Sequence, residues 1–485
     1  MKQSMVKKEK NSFDSYSMNN IFIEKGEIYR GINNKEIYLM YKNGLIDELM
    51  SRNILTPSNI INNHNKNYLA IISQPELLPH SNLDELTPSI RRDMGLKFLL
   101  LSRILHKYNY TLLEINVSDF YINKKGQPIF HNLENIVLKE HNKFQYIDFH
   151  SIFIGPLRIV NESPQLAGFI QRASTINIDE DISIRHKLFR KLLSVVANFG
   201  LVGNKIFGMY HRIFVLSQYS ALIHTGKYSV LIRELINEYK CRIEGISNSD
   251  KNWINIVWDK LEKELYKYDF SSVKERWTVY YDHLELNKIV KANDDWLKYY
   301  QGEREQAIIN QVSDLSGGTL LDIGSNNGYF SMLGAYLGFR TTALDYDLGA
   351  IDHLYSLLKE ADNPLTIRPF VFDFAQIKTQ DYQRYCSDVV LALGFVHHMR
   401  LVELLSWDII SERLSKLTKK VLITEFKPGT GAGNAKEEKT RMNVNDYSLT
   451  DFVSALKKYF SKVEVLGDYS ATGFSSKRTM IVCKI

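Results

Sequence analysis

Cysteine is scarce: three in 485 residues, Cys241, Cys386 and Cys483, far apart and with no C-x-x-C spacing. That pattern gives no metal site and points to a reducing compartment. Long apolar runs are also missing. The longest candidate, from Leu192 to Tyr210, is interrupted by Asn198, Gly200, Gly203, Asn204 and Lys205, so no membrane-spanning helix is expected. The first twelve residues are polar and contain lysine, with no apolar stretch behind them, so a signal peptide is not expected and the location reads as cytoplasmic. Charge of one sign is barely in excess. With 61 basic and 55 acidic residues the formal net charge is +6, too small for this length to call for nucleic acid or an anionic membrane as partner. What is present, 44% hydrophobic and 12% aromatic residues, suffices to bury the cores of more than one domain.

The most informative stretch is Gly318-Thr-Leu-Leu-Asp-Ile-Gly-Ser-Asn-Asn-Gly-Tyr-Phe-Ser331. The apolar run Leu320, Leu321, Ile323 between glycines predicts a short buried strand, and Tyr329 to Leu337 predicts a helix beginning directly after a glycine-containing turn. Such a corner offers free backbone N–H groups and close approach to the main chain at Gly324 and Gly328. It lacks the third glycine of G-x-G-x-x-G and the lysine of a phosphate loop. It does fit D-x-G-x-(G/N)-x-G, with Asp322 ending the strand and Asn326 in the middle position, where asparagine tolerates a left-handed backbone. Asp345, at the end of the next apolar segment and 21 residues past Gly324, is placed to accept hydrogen bonds from ribose hydroxyls, with Asp347 as a competitor.

On these residues the last 200 or so positions resemble the class I S-adenosylmethionine-dependent methyltransferases. The resemblance implies an α/β fold with a Rossmann-like seven-stranded sheet and S-adenosyl-L-methionine as cofactor. It implies cofactor contacts from Asp322, Gly324, Asn326, Gly328, Asp345, Tyr346, Asp373, Phe374, Leu393 and Gly394, with Asp373 at the adenine amino group and Phe374 on its ring. Alternating segments support the order: a helix over Ile351 to Lys359, and strands over 365–372, from Asp388, over Val421 to Lys427, Val463 to Leu466 and Arg478 to Cys483. Gly429 to Asn434 reads as a flexible, lid-like loop.

Upstream, alternation around Gly26 predicts a hairpin from Ile21, Tyr68 to Ser73 a strand, and Pro88 to Tyr108 a helix. Two strand-like runs then flank the turn Asn123-Lys-Lys-Gly126. This arrangement is similar to the catalytic-loop hairpin of protein-kinase-like folds, but Asp119 and Asn132 occupy the metal-binding positions and no H-R-D precedes them, which fits a degenerate, non-phosphorylating remnant or plain β-structure. Together with the segment from Phe144 to Leu157, the chain resembles a bacterial two-part methyltransferase family, some members of which are nodulation-related. The expected division is an α+β domain over 1–165, a helical connecting or cap region over 166–290 and the methyltransferase domain over 291–485. Within the helical region the periodic segments Ile184 to Ala197 and Lys227 to Tyr239 stand out, and Lys227, Arg233 and Lys240 read as a solvated face.

Candidate chemistry gathers at the strand exits. His397 and His398 have the side chain to act as a base near neutrality, and Glu425 can orient that histidine or grip an acceptor amine. No metal is expected there. The aromatic cluster Trp277, Tyr280 and Tyr281, followed by Trp296 to Tyr300, offers faces for a sulfonium or a substrate. The expected reaction is methyl transfer to an O or N atom of a small metabolite or natural product. Transfer or cyclisation of the cofactor's aminocarboxypropyl arm is an alternative, as is a protein or carrier-bound acceptor recruited by the N-terminal half.

Overall fold

Apolar alternation on both sides of the first turn produces β1 (Ile21–Glu24) and β2 (Glu27–Ile32), paired antiparallel. In the computed structural model, which describes residues 21–24, 27–61, 68–74, 82–123, 125–139, 149–162, 164–167, 253–428, 447–470 and 477–485, they join β3 (Asn59–Ile61) and β4 (Ala70–Gln74) in a four-stranded sheet of order β1-β2-β4-β3. The expectations for Leu192 to Tyr210, for the helices and basic residues between 184 and 240, for Cys241 and for the loop Gly429 to Asn434 lie outside the described residues. Two compact units emerge, one drawn from Met1–Asn123 and Gln127–Val273, the other from Lys124–Gly126 and Lys274–Ile485.

In the first unit the helix Pro88–Lys107 starts where Thr87 accepts the Ile90 N–H and proline occupies the first turn, a position that needs no N–H donor. Its periodic residues Ile90, Met94, Phe98, Leu101 and Leu105 are all buried. Beyond it, β5 (Tyr110–Leu112) pairs with β8 (Ile136–Leu138), and β6 (Phe120–Ile122) with β7 (Pro128–Phe130) across the turn after Asn123. Asp119 is buried beneath this hairpin, accepting from Asn132 Nδ2 at 2.7 Å and from Asn135 Nδ2. Burial pushes its carboxyl up to about 6, against the two amide donors that hold it down. Asp119 and Asn132 thus satisfy one another.

The second unit is built on seven strands: β9 (Thr319–Ile323), β10 (Arg340–Asp345), β11 (Ile367–Val371), β12 (Ser387–Ala392), β13 (Thr418–Phe426), β14 (Lys462–Ser470) and β15 (Lys477–Lys484). Their order is β11-β10-β9-β12-β13-β15-β14. The first five are parallel, and β15 runs antiparallel between β13 and β14. Parallel strands covered on both faces read as continuous apolar runs, and β9, β12 and the end of β13 are buried almost without alternation. The order reverses between β9 and β12, so the crevice at their carboxyl ends is where an open sheet of this kind receives a ligand. The unit starts at Lys274, so the aromatic segment from Trp277 belongs to the same unit as the sheet. Among the described residues no helix is long and apolar enough to cross a membrane.

Candidate functional site at the strand exits

The turn after β9 holds Gly324 at φ +74°, Asn326 at φ +50° and Gly328 at φ +82°, and the helix Tyr329–Tyr336 follows at once. Side chains at the two glycines are excluded twice, by the left-handed backbone and by space. A Cβ at Gly324 would lie 3.1 Å from the Phe395 ring and one at Gly328 2.5 Å from Leu354. The space that a side chain would need at these positions is taken by Phe395 and Leu354. Four of the N–H groups are engaged: those of Gly324 and Ser325 donate to Leu344 O, that of Gly328 to Ser325 O, and that of Asn326 to Asp345 Oδ2 at 2.7 Å. Three side-chain oxygens are left over. Ser325 Oγ, Asn326 Oδ1 and Asn327 Oδ1 are buried without a hydrogen-bond partner. Buried oxygens without donors are costly and mark where a ligand's donors fit.

Asp345 closes this corner. It is 8% exposed, and its second oxygen accepts the Asp347 N–H at 2.8 Å. Burial pushes its carboxyl up to about 7, against those two main-chain donors. Each oxygen keeps a lone pair for another donor. Asp322 on β9 is also buried and accepts from Ser331 Oγ at 2.6 Å; burial raises it to about 6.

Asp347 has a different task. One oxygen accepts the Ala350 N–H, capping the helix Leu348–Lys359, and the Thr278 hydroxyl at 2.7 Å; the other accepts the Trp277 N–H at 2.6 Å. Asn326 Nδ2 donates to Trp277 O and Asn327 Nδ2 to Thr278 O, which completes a clamp between the loop and the aromatic segment. Fully buried and holding three donors of its own chain, Asp347 serves the clamp. Replacing it by alanine removes a cap and two further charge-assisted bonds, and a loss of about 2–3 kcal/mol in denaturant unfolding is expected.

The three aromatic candidates separate. Trp277 lies over the rim, its ring edge-on to His398 at 5.1 Å, beside the half-exposed Tyr346. Tyr280 Oη receives Arg478 Nη2 at 3.4 Å. Tyr281 is core, packed on Tyr329 at 5.6 Å, so it is not placed to contact substrate. Trp296 stacks on Tyr336, while Tyr300 donates to Tyr329 O and Tyr329 to Tyr299 O, so that group anchors the helix after the loop. On the far side Asp373 is exposed and caps the turn Phe374–Gln376; the Phe374 ring meets Phe395 edge-on at 5.1 Å.

After β12 come the buried Leu393, Gly394 and the helix Val396–Leu401 carrying both histidines. Burial holds His397 well below the usual imidazole range and lowers His398 to about 4, helped by nearby cations. Both are neutral at pH 7. His397 is 4% exposed, and its Nδ1 has no partner. Glu425 does end β13 at this rim, but it is not free to act. Arg304 holds both its oxygens, at 2.6 and 2.8 Å, and the Gly394 N–H donates to it at 3.0 Å. The expectation that it orients histidine or grips an acceptor is corrected accordingly: it is half of a buried ion pair.

No protein-family model matches the sequence, and no curated protein matches it. Several solved structures are similar to part of the chain. The magnesium protoporphyrin IX methyltransferase ChlM from Synechocystis PCC 6803, with bound SAH, matches at 18% identity over 37% of this chain and 78% of that one, TM-score 0.28. The bifunctional kinase-methyltransferase WbdD matches at 16% identity over 37% of this chain and 39% of its own, TM-score 0.29. A TehB-like SAM-dependent methyltransferase from Corynebacterium glutamicum ATCC 13032 Kitasato matches at 14% identity over 37% and 87%, TM-score 0.26.

Proposed function

We propose that the second unit is an S-adenosylmethionine-dependent methyltransferase acting on an O or N atom of a small-molecule acceptor. The observation that carries this is the corner itself: at the reversal of a parallel sheet, three buried loop oxygens lack donors beside a carboxylate that ends the neighbouring strand. Those residues fit a nucleoside with an ammonium-bearing tail. Asp345 accepts from ribose hydroxyls, and Ser325, Asn326 and Asn327 accept the remaining donors. Phe374 and Phe395 wall the base, with Asp373 at its edge.

The bound cofactor supplies an electrophilic methyl on a sulfonium. With it bound, an acceptor's lone pair would bond to that methyl as the carbon–sulfur bond broke, its electron pair staying on sulfur. His397 takes the acceptor's proton, being neutral and having a free nitrogen. Trp277, clamped by Asp347 and Asn326, covers the rim and excludes water.

Asp345 also sets a pH dependence. Only its ionised form accepts from both hydroxyls, and its carboxyl is near 7. Affinity for S-adenosylhomocysteine is therefore expected to rise about tenfold from pH 6 to pH 8, read by quenching of tryptophan fluorescence, and to be flat in Asp345→Asn. The reaction itself is tested by incubating full-length protein with S-adenosylmethionine and a panel of metabolites, then analysing products by mass spectrometry. S-adenosylhomocysteine in step with a methylated acceptor is expected. Methylthioadenosine in its place would assign transfer of the aminocarboxypropyl arm and overturn methylation.

A further inference from the structure

Arg478 sits near the start of β15 at a position that alternates with Met480 and Val482, both in the core. It is 6% exposed, yet its Nε and Nη1 have no hydrogen-bond partner, and Nη2 reaches only Tyr280 Oη, at 3.4 Å. No described carboxylate serves it. Glu425, at the end of the neighbouring strand, is held by Arg304, and Asp468 accepts from Thr479 Oγ1 at 2.6 Å. A guanidinium is a cation, and among the described residues this one is buried without an anion. Isolated buried charges are among the costliest features a fold can carry.

The orphan is aimed at the site. A Cβ on Gly394 would lie 2.8 Å from Arg478 Nη1, so the guanidinium occupies space at the exit of β12, where only glycine leaves room for it. His397 follows three residues later, with its own unpartnered nitrogen.

We propose that Arg478, with the Tyr280 hydroxyl beside it, anchors an oxyanion carried by the acceptor, a carboxylate or a phosphate. The planar fork of N–H donors matches either group, and its position beyond the cofactor corner assigns it to the acceptor. The inference deepens the methyl-transfer assignment and rests on it: acceptors are anionic, and the anion fixes their orientation before transfer. A bound anion also offsets one of the positive charges that depress His397.

The test uses full-length protein saturated with S-adenosylhomocysteine and titrated calorimetrically with inorganic phosphate and, separately, with benzoate. Saturable binding of one of the two is expected, and which one identifies the source. Arg478→Met should weaken that binding at least tenfold while leaving S-adenosylhomocysteine affinity within twofold. With the unpaired charge gone, the anion-free variant should melt about 2–4 °C higher. Should the methionine variant not fold, Arg478→Lys keeps the charge, loses the fork and is expected to weaken anion binding in the same titration. The inference is overturned if protein that binds S-adenosylhomocysteine takes up neither anion, or if the variants bind the anion as well as the parent. A tenfold loss of S-adenosylhomocysteine affinity in Arg478→Met also overturns it, by giving the guanidinium to the cofactor's own carboxylate. Absence of S-adenosylhomocysteine binding by the unmodified protein is a separate outcome that removes the methyl-transfer assignment itself.

Discussion

Glu425→Ala is expected to cost about 3–5 kcal/mol of stability, the range for removing one partner of a buried ion pair. For a unit of roughly 200 residues this lowers the melting temperature by about 10 °C. The size follows from what is left behind. Arg304 is 4% exposed and packed 4.7 Å from the Phe330 ring centroid, so a desolvated cation would lose the carboxylate that holds it at two points. The Gly394 N–H would lose its acceptor at the same time. Arg304→Met combined with Glu425→Met removes both charges and is expected to recover much of the loss. A rim carboxylate acting on substrate would behave otherwise, with turnover falling and the melting temperature unchanged. Thermal unfolding of the two variants beside the parent decides between them.

His397→Ala is expected to lower kcat by 10²- to 10⁴-fold, the span usual for loss of a general base, with S-adenosylhomocysteine affinity retained. His398→Ala should cost less, because its ring packs against Trp277 and its effect is on positioning. The pH profile gives an independent check. A histidine held at its ordinary value would produce an acidic limb near 6.5. Burial lowers both histidines, so each is neutral above its folded pKa, about 4 for His398 and well below the usual imidazole range for His397. The limb due to histidine should therefore lie well below pH 6, leaving only the Asp345 binding limb near 7. An acidic limb in kcat near 6.5 that disappears in His397→Ala would contradict the burial described here.

Local elements were legible because short-range pattern governs them. The apolar run at Leu320 and the glycines around Asn326 give strand, turn and helix within a residue or two of their observed bounds, since a buried parallel strand has no polar face to confuse its ends. The hairpin around Gly26 and the helix from Pro88 were readable for the same reason. Pairings across long separations were not. Glu425 looked like a free rim carboxylate because its partner Arg304 lies 121 residues earlier, in a helix whose sequence carries no signal of it. Asp347 and Asp345 are two residues apart and indistinguishable by motif, yet one is consumed by Trp277, Thr278 and Ala350 while the other keeps acceptor capacity. Arg478 drew no notice in an ordinary closing strand. Its alternation with Met480 and Val482 was the available signal: a cation on an inward-facing position.

The central claim is that the corner after β9 holds a sulfonium nucleoside with Asp345 on its sugar. Calorimetric titration of S-adenosylhomocysteine into the full-length protein at pH 8, beside Asp345→Asn, tests it most directly. One site per chain is expected, weakened about 10- to 100-fold in the variant, the equivalent of losing about 1.5–3 kcal/mol of hydrogen bonding to a charged acceptor. No binding, or equal binding by both proteins, would contradict the account.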